Sequence, residues 1–427
     1  MARPTAWLAR DATLPHRDAL LDEAAVPRML RCLDPSGTAD ITACSCTRVN
    51  YQVGKSVRAV FHVEIDRTPH VVAARMFRPG RSDASHRMRL DTQPRDGLHT
   101  VAHAAAIDTT FWLFPHDRKI ATLGSVTEPS EQVMSLVSKS WKTTRLAAYA
   151  PEKSATLACL DGDHQPVAYA KIAASYQAER DHGTYLQLRS RLEARGTPLV
   201  LPAPLAYSSE LRTLWLEPLE GRRLVEATHA AAAADFRRLG VAVAVFHDLQ
   251  APGVPRFDRF NPERLSAAAA ILGCVRPDVA ARAERFVSRL ADSAHAAWCD
   301  RVCLHGDLHP KNAIVTGDAV ALIDVEDVAS GPSAADIGSL LAGLAYLHCA
   351  GDLSEVRYVE LAEAFLAGYA SQRTLPDHTS IAWHAAAALF LERAVRAVTR
   401  IRPLGLMHLP ELIAKAERLL TEGLEIA

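Results

Sequence analysis

The chain has 427 residues, 49% of them apolar and 23% charged, and a net charge of −1. That balance provides no global field to attract nucleic acid or an anionic membrane, so neither is expected as a partner. The length predicts two or three domains, and the excess of Arg over Lys with abundant Ala fits a GC-rich bacterial genome.

The first residues, MARPTAWLARDATLPHRD, carry charges every few positions and lack the apolar run of a secretory leader. The longest apolar stretch, Ile337 to Ala350, is broken by Gly, Ser and His. It falls short of the roughly 20 residues that span a bilayer. A cytoplasmic protein is expected. The eight cysteines are scattered, and Cys44 and Cys46 have no partner pair at zinc spacing. Buried, reduced thiols are expected.

In chain order, the first eye-catching stretch is YQVGKS, Tyr51 to Ser56. A phosphate-binding loop needs a second glycine where Val49 stands, so this is not one. Thr47 to Phe77 reads instead as two strands around a turn, the second ending near Arg75. Pro79 and Gly80 then break any helix. Phe111 to Leu123, FWLFPHDRKIATL, is expected to pack this region down through its aromatics. Thr144 to Ala173 repeats the first pattern: Thr-Arg, Tyr, Lys-Ser, a strand, a polar turn, and a strand ending in a basic residue, here Lys171. A duplicated hairpin accounts for the repeat; two unrelated hairpins of similar composition are the alternative.

A helix follows from Ser175 to about Gly196, with Glu179 and Asp181 early on it and Leu186 and Leu188 to Leu192 on its apolar side. TLWLEPLEGRRL reads as a strand and a linker, and Arg237 to Gln250 as a helix holding a structural His247.

Arg301 to Gly338 carries the chemistry. A short apolar run leads to HGDLHPKN, then two strands around Gly317-Asp318, then Ile-Asp, Gly-Pro and an Ala/Leu helix. Asp307, Asn312 and Asp324 thus lie on loops at strand ends, where scaffolds hold reactive groups. Hard oxygen ligands of this kind suit Mg²⁺ with phosphate. The five-residue step from Asp307 to Asn312 matches a kinase catalytic loop, whose Asp receives the hydroxyl proton and whose Asn binds metal.

This segment resembles the aminoglycoside phosphotransferase and choline kinase-like family, which shares a protein kinase-like fold and an HGDxxxxN loop. The resemblance covers about residues 140 to 400. It implies an α+β, bilobal fold with a β-rich small lobe and a mostly helical large lobe. It also implies Asp307 as the base, Asn312 and Asp324 on Mg²⁺, Asp336 anchoring the loop and His305 as a supporting residue. Upstream it implies Lys171 on the phosphates of ATP, steadied by Glu179, with Asp181 as a weaker candidate. Lys153 and Ser154 fall in the turn that covers the nucleotide, although no glycine-rich loop is present. Glu217 and Leu219 fall near the adenine, with Leu219 the donor because Pro218 has no N–H. Glu326 departs from the Gly of protein kinases, which counts against a protein substrate.

The expected domains are residues 1–137, a divergent module like a degenerate small lobe, 138–219, the small lobe, and 220–427, the large lobe. The expected activity transfers the γ-phosphoryl group of ATP, with GTP open as donor, to a hydroxyl of a sugar, aminocyclitol or antibiotic. A nucleotide-binding scaffold is the alternative, with a protein kinase behind it. Arg393, Arg396 and Arg400 fall at helical spacing and form either an acceptor-binding stripe or a solvated face. A monomer or homodimer is expected.

Overall fold

The computed structural model describes residues 4–83, 94–95, 97–137, 140–193, 197–227, 233–293 and 300–424. The expected boundary at 137/138 abuts residues 138 and 139, and part of the stretch after Gly80 also lies outside the described residues. The chain forms two compact units. One comprises Met1–Arg180, Leu205–Leu216 and Val398–Ile401; the other comprises Asp181–Pro204, Glu217–Ala397 and Arg402–Ala427.

The first unit is built on two five-stranded sheets. The first contains β1 (Ile41–Gln52), β2 (Ser56–Ile65), β3 (Thr68–Phe77), β4 (Val101–Ala104) and β5 (Thr109–Leu113). The second contains β6 (Thr143–Ala150), β7 (Ser154–Leu160) and β8 (Pro166–Ala173). After helix α1 (Gln177–Glu193) and the short β9 (Leu199–Val200), β10 (Pro204–Ser208) and β11 (Thr213–Leu216) complete it. The strand orders are β1-β2-β3-β5-β4 and β6-β7-β8-β11-β10, the same order twice.

Register makes the match residue by residue. Ser56 pairs with Phe77 as Ser154 pairs with Ala173, so Arg75 and Lys171 stand at the same place, two residues earlier. The turns match as well. Asp11 accepts from the Tyr51 hydroxyl at 2.7 Å and the Gly54 amide at 3.0 Å. Asp117 accepts from the Tyr149 hydroxyl at 2.7 Å and the Glu152 amide at 2.9 Å. In each case one buried carboxylate satisfies a tyrosine and a turn amide that burial would otherwise leave unpaired. Each also accepts from the amide two residues ahead, Thr13 at 2.9 Å and Lys119 at 2.7 Å.

The two sheets share a core. Val60, Ala73 and Trp112 of the first pack in one cluster with Leu157, Ala170, Ile172 and Trp215 of the second. Phe114 meets Tyr149 edge to face at 5.6 Å, so the aromatic stretch after Phe111 does pack the N-terminal sheet against its neighbour.

The second unit is mostly helical. The strands β12 (Arg222–Arg223), β14 (Ala313–Thr316) and β15 (Ala319–Leu322) form one small sheet with β9, and β13 (Val302–Leu304) pairs with β16 (Ala329–Gly331). Around them lie α2 (Ala233–His247), α3 (Pro262–Val275), α4 (Ala280–Asp292), α5 (Ala334–Cys349), α6 (Glu355–Ala370) and α7 (His378–Ala388). Asn261 caps α3 and Asp377 caps α7, each accepting the amide three residues on. The apolar run predicted from Ile337 is α5, buried through Ala345, and no helix among the described residues is long and apolar enough to cross a membrane.

Two expectations need correction. On α1, Leu188 and Leu192 of the predicted apolar side are buried together with Tyr185, but Leu186 is exposed and lies off that face. The thiols are free among the described residues, but only Cys159 and Cys303 are buried and Cys274 is exposed. The cysteines on the edge strand β1 and the helix ends have too little structure above them for burial.

Candidate active site

In the second unit the HGD loop leaves β13 and is held from below by the first turn of α5. Asp336, 2% exposed, accepts from the backbone amides of His305 at 2.6 Å and Gly306 at 3.0 Å. Its Oδ2 also takes the Nε2–H of His247 at 3.1 Å, and His247 Nδ1 meets the Tyr369 hydroxyl at 2.9 Å. Burial pushes the Asp336 carboxyl up, but the bond to His247 and the nearby imidazoles and amide prevail and hold it below the usual range. It therefore stays an anion that can order the loop. Gly306 is required here, because its φ is +81° and a Cβ would meet the Asp327 carbonyl oxygen at 2.0 Å.

His305 is buried, and both ring nitrogens are used. Nε2–H donates to the Ile323 carbonyl at 2.9 Å and Nδ1 accepts from the Asp307 amide at 3.3 Å. Such a ring orients its neighbours and has no lone pair left for a substrate. Asn312 is buried, and its Nδ2 donates to the Asp307 carbonyl at 3.0 Å. That leaves its Oδ1 as an acceptor.

The β14–β15 hairpin brings the third oxygen ligand in. Ala313 pairs with Leu322, and the Ile323 amide donates to the Asn312 carbonyl at 3.0 Å, so Asn312 and Asp324 leave the same end of the hairpin. Asp324 adopts a left-handed backbone, φ 61°, which turns the chain sharply there. Among the described residues no group of three His, Cys, Asp or Glu side chains is arranged to hold a metal. The donors at this end, one amide oxygen and carboxylates, are hard oxygens that suit Mg²⁺ completed by phosphate and water.

Asp307 itself lies beside two guanidinium groups and an imidazole. Arg259 Nη1 is 3.5 Å and Arg396 Nη1 3.9 Å from its Oδ1, and His309 Nε2 is 3.6 Å from its Oδ2. Burial raises its pKa, yet His309, Arg396 and Arg259 together bring it below the ordinary carboxylate value. Burial pushes His309 down to about 4, so it is neutral at pH 7. Arg259 is pinned in turn by Glu392 at 2.8 Å and Asp327 at 3.2 Å. Sequence reasoning missed Arg259, which is 48 residues from Asp307 and in no motif.

The three arginines of the predicted stripe make different contacts. Residues Leu389–Val395 form a π-helical turn that runs into the α-helix Arg396–Arg400. Arg393 is buried, with Nη2 on the Ser339 carbonyl at 3.3 Å; Arg396 reaches Asp307; Arg400 belongs to the first unit, where it donates to the Val49 carbonyl at 3.4 Å.

The other predicted residues lie as follows. Lys171 is half-buried on β8, opposite Thr156 and Leu214. Glu179 is exposed in the first turn of α1, whereas Asp181 is buried at 8%. Lys153 and Ser154 follow Glu152 in the β6–β7 turn. The Glu217 amide donates to the Ala203 carbonyl at 2.9 Å and its carboxylate accepts from the Ala203 amide at 2.7 Å, so this residue ties down its own linker; Leu219 is half-buried beyond it.

The β6–β7 turn also holds a group that sequence reasoning missed. The Glu152 carboxylate, 1% exposed, accepts from Arg58 at 2.8 Å, from Arg118 at 2.5 Å and from Arg75. The residue in the first sheet that matches Lys171 is thus bound to a carboxylate of the second.

Residues 161–384, just over half of the chain, match the family model described as the phosphotransferase enzyme family. Among solved structures, a choline/ethanolamine kinase family protein from Mesorhizobium loti is similar at 15% identity over 70% of this chain and 95% of its own, TM-score 0.48. A choline kinase from Cryptosporidium parvum aligns at 11% identity over 67% and 92%, TM-score 0.49. A macrolide 2'-phosphotransferase from Brachybacterium faecium aligns at 16% identity over 70% and 99%, TM-score 0.43. No curated protein matches the chain by sequence.

Proposed function

Because the chain belongs to the phosphotransferase enzyme family and is a small-molecule kinase, we propose that it moves the γ-phosphoryl group of ATP to a hydroxyl of a small molecule, with Asp307 as base. The observation that carries this is the loop order itself: Asp307, Asn312 and Asp324 gathered at one hairpin end over the Asp336 clamp.

In this reaction the acceptor oxygen forms a bond to the γ-phosphorus while the bond to the β-bridging oxygen breaks. ADP leaves with that electron pair, and Asp307 takes the hydroxyl proton. A carboxylate held ionised by its cationic neighbours is in the correct state to accept it. Mg²⁺, held by Asn312 and Asp324, would neutralise charge on the phosphate oxygens. Lys171 would bind the phosphates and the turn bearing Lys153 and Ser154 would cover them. Glu217 and Leu219 would border the base, Leu219 donating the hydrogen bond. Burial makes Asp181 a better partner for Lys171 than the exposed Glu179.

The acceptor reading follows from charge. Arg259, Arg396 and the buried Arg393 around the base disfavour a polycation such as an aminoglycoside and suit a neutral or anionic hydroxyl compound. The test is ADP release over sugars, aminocyclitols, sugar acids and aminoglycosides, with Asp307→Asn as control. Turnover on a neutral or anionic acceptor that falls about 10²–10⁴-fold in the control is expected. No turnover above that control with any acceptor would leave a nucleotide-binding scaffold.

A further inference from the structure

We propose that the acceptor carries an oxyanion of its own, a phosphate ester or a carboxylate, and that Lys311, Arg396 and Arg402 hold it beside Asp307. This rests on the phosphoryl-transfer reading and narrows its acceptor from any neutral or anionic hydroxyl compound to one class.

One face of α5 gathers these groups. Ser339, Gly343 and Tyr346 stand at i, i+4 and i+7, so they share a side of the helix. The Ser339 carbonyl accepts from Arg393 Nη2 at 3.3 Å, and a Cβ at Gly343 would meet the same Nη2 at 3.2 Å and the Pro310 ring at 3.9 Å. The catalytic loop and the Arg393 guanidinium therefore both lie against α5 at Gly343, and Lys311 follows Pro310 directly. Further along the face, a Cβ at Gly405 would meet the Tyr346 hydroxyl at 3.3 Å. The chain is turned into that segment by the Arg402 amide, which donates to the Ala397 carbonyl at 2.8 Å. The charge of Arg402 acts on Arg393 and on Tyr346, so its guanidinium lies over the same face. Arg396 completes the set on the Asp307 side, with Nη1 3.9 Å from Oδ1.

The cations differ in what balances them. Arg393 is buried with Glu392 3.9 Å away, and Arg259 is engaged by Glu392 and Asp327. Lys311 and Arg402 are exposed, and among the described residues neither makes an ion pair. The charges that act on Lys311 are those of Arg402 and Arg393, both of its own sign. Arg402 stands at the N-cap of the helix Pro403–Met407, but its side chain makes no cap bond.

Cationic groups of this kind beside a reaction centre concentrate anions there. A phosphate or carboxylate offers several strong acceptors to guanidinium forks and an ammonium at once, and the Tyr346 hydroxyl can donate one bond more. A hydroxyl on the same carbon skeleton is then presented to Asp307. Its oxygen bonds to the γ-phosphorus, ADP leaves with the electron pair, Asp307 takes the proton, and the resident oxyanion stays unchanged.

The test uses matched compounds at constant ionic strength: glycerol with glycerol 3-phosphate, ribose with ribose 5-phosphate, and glucose with glucose 6-phosphate and gluconate. Thermal melting of the full chain reads binding, and ADP release reads turnover. A saturable rise in Tm is expected with an oxyanion-bearing member, together with a kcat/KM about tenfold or more above that of its neutral parent. Lys311→Gln and Arg402→Gln should each raise the KM for that acceptor about tenfold and leave the KM for ATP unchanged. Both residues are exposed, so the fold tolerates the changes. A phosphate ester that outdoes gluconate identifies a phosphate as the anion, and the reverse identifies a carboxylate. Turnover that favours the neutral parent in every set overturns the proposal and leaves phosphoryl transfer standing. So does a raised KM for ATP in place of the acceptor, or a response that both Gln variants keep. No saturable response to any oxyanion-bearing compound overturns the proposal as well. A Tm rise that needs Lys311 and Arg402 but brings no ADP release keeps the oxyanion site and overturns phosphoryl transfer.

Discussion

The two sheets of the first unit run the same strand order, yet only one of them presents a lysine at the central register position. Lys171 on β8 is replaced in the first sheet by Arg75 on β3, and Arg75 is bound to Glu152, a residue of the other sheet's turn. A compact ammonium can serve a phosphate, whereas a planar guanidinium already forked onto a carboxylate is committed. We propose that the first sheet descends from a duplicated small lobe that gave up nucleotide and became the support of the second. One carboxylate joins the two: Glu152 binds the arginine at the register position of the first sheet and sits in the turn of the second.

The sharpest way to break that comparison is to make one substitution at both register positions. Lys171→Met should lower kcat/KM with ATP by about 10²-fold or more, the scale of a lost phosphate clamp. Arg75→Met should change it by less than about tenfold and should instead lower stability, since Glu152 loses one of three partners. ADP-release kinetics and urea melts read the two effects separately. Equal kinetic losses at both positions would end the division of labour. A companion pair, Asp181→Asn and Glu179→Gln, should show the larger kinetic loss at the buried Asp181.

Next in size is Glu152→Gln. It leaves Arg58, Arg75 and Arg118 facing a neutral amide, and breaking a buried pair from one side costs about 3–5 kcal/mol. Urea unfolding should show that loss. The pH dependence has a definite sign. Burial raises the Glu152 pKa, but Arg118, Arg75 and Arg58 bring it below the ordinary value. Its stabilisation is therefore present above the unfolded carboxylate value and is lost as pH falls through the lower folded value. The gap between wild type and Glu152→Gln should be constant from about pH 6 to 8 and should narrow only in acid below the usual Glu range. A gap that narrows near neutrality would point to a titrating histidine and not to Glu152.

What the sequence made legible follows from separation along the chain. The HGD loop, Asn312, Asp324 and Asp336 lie within one short segment, so their order could be read and their contacts fall where that order leads. The repeat was legible in its hairpins because Lys-Ser and the strand lengths are local. The order of five strands was not, since β3–β5 and β8–β11 pair across long insertions. Glu152 carries no motif and meets Arg58 94 residues away. The partners of the three arginines, Asp307 for Arg396, the Ser339 carbonyl for Arg393 and the Val49 carbonyl for Arg400, are remote in sequence and lie outside what periodicity along one helix can reach.

The smallest effects probe the feature the sheets share most closely. Tyr51→Phe and Tyr149→Phe each remove one hydroxyl that donates to a buried carboxylate, Asp11 or Asp117, at the same 2.7 Å. A hydrogen bond to a charged acceptor contributes about 1.5–3 kcal/mol, and each carboxylate keeps its backbone amides, so the lower end is expected. The two losses need not be identical. The Tyr51 hydroxyl also accepts from Arg17 at 3.1 Å, so Tyr51→Phe takes one acceptor from a buried guanidinium that keeps Asp18, and should cost the more of the two. If Tyr149→Phe proves the costlier, the second turn depends on its aspartate more than the first does. The symmetry between the turns would then hold in geometry and fail in energy.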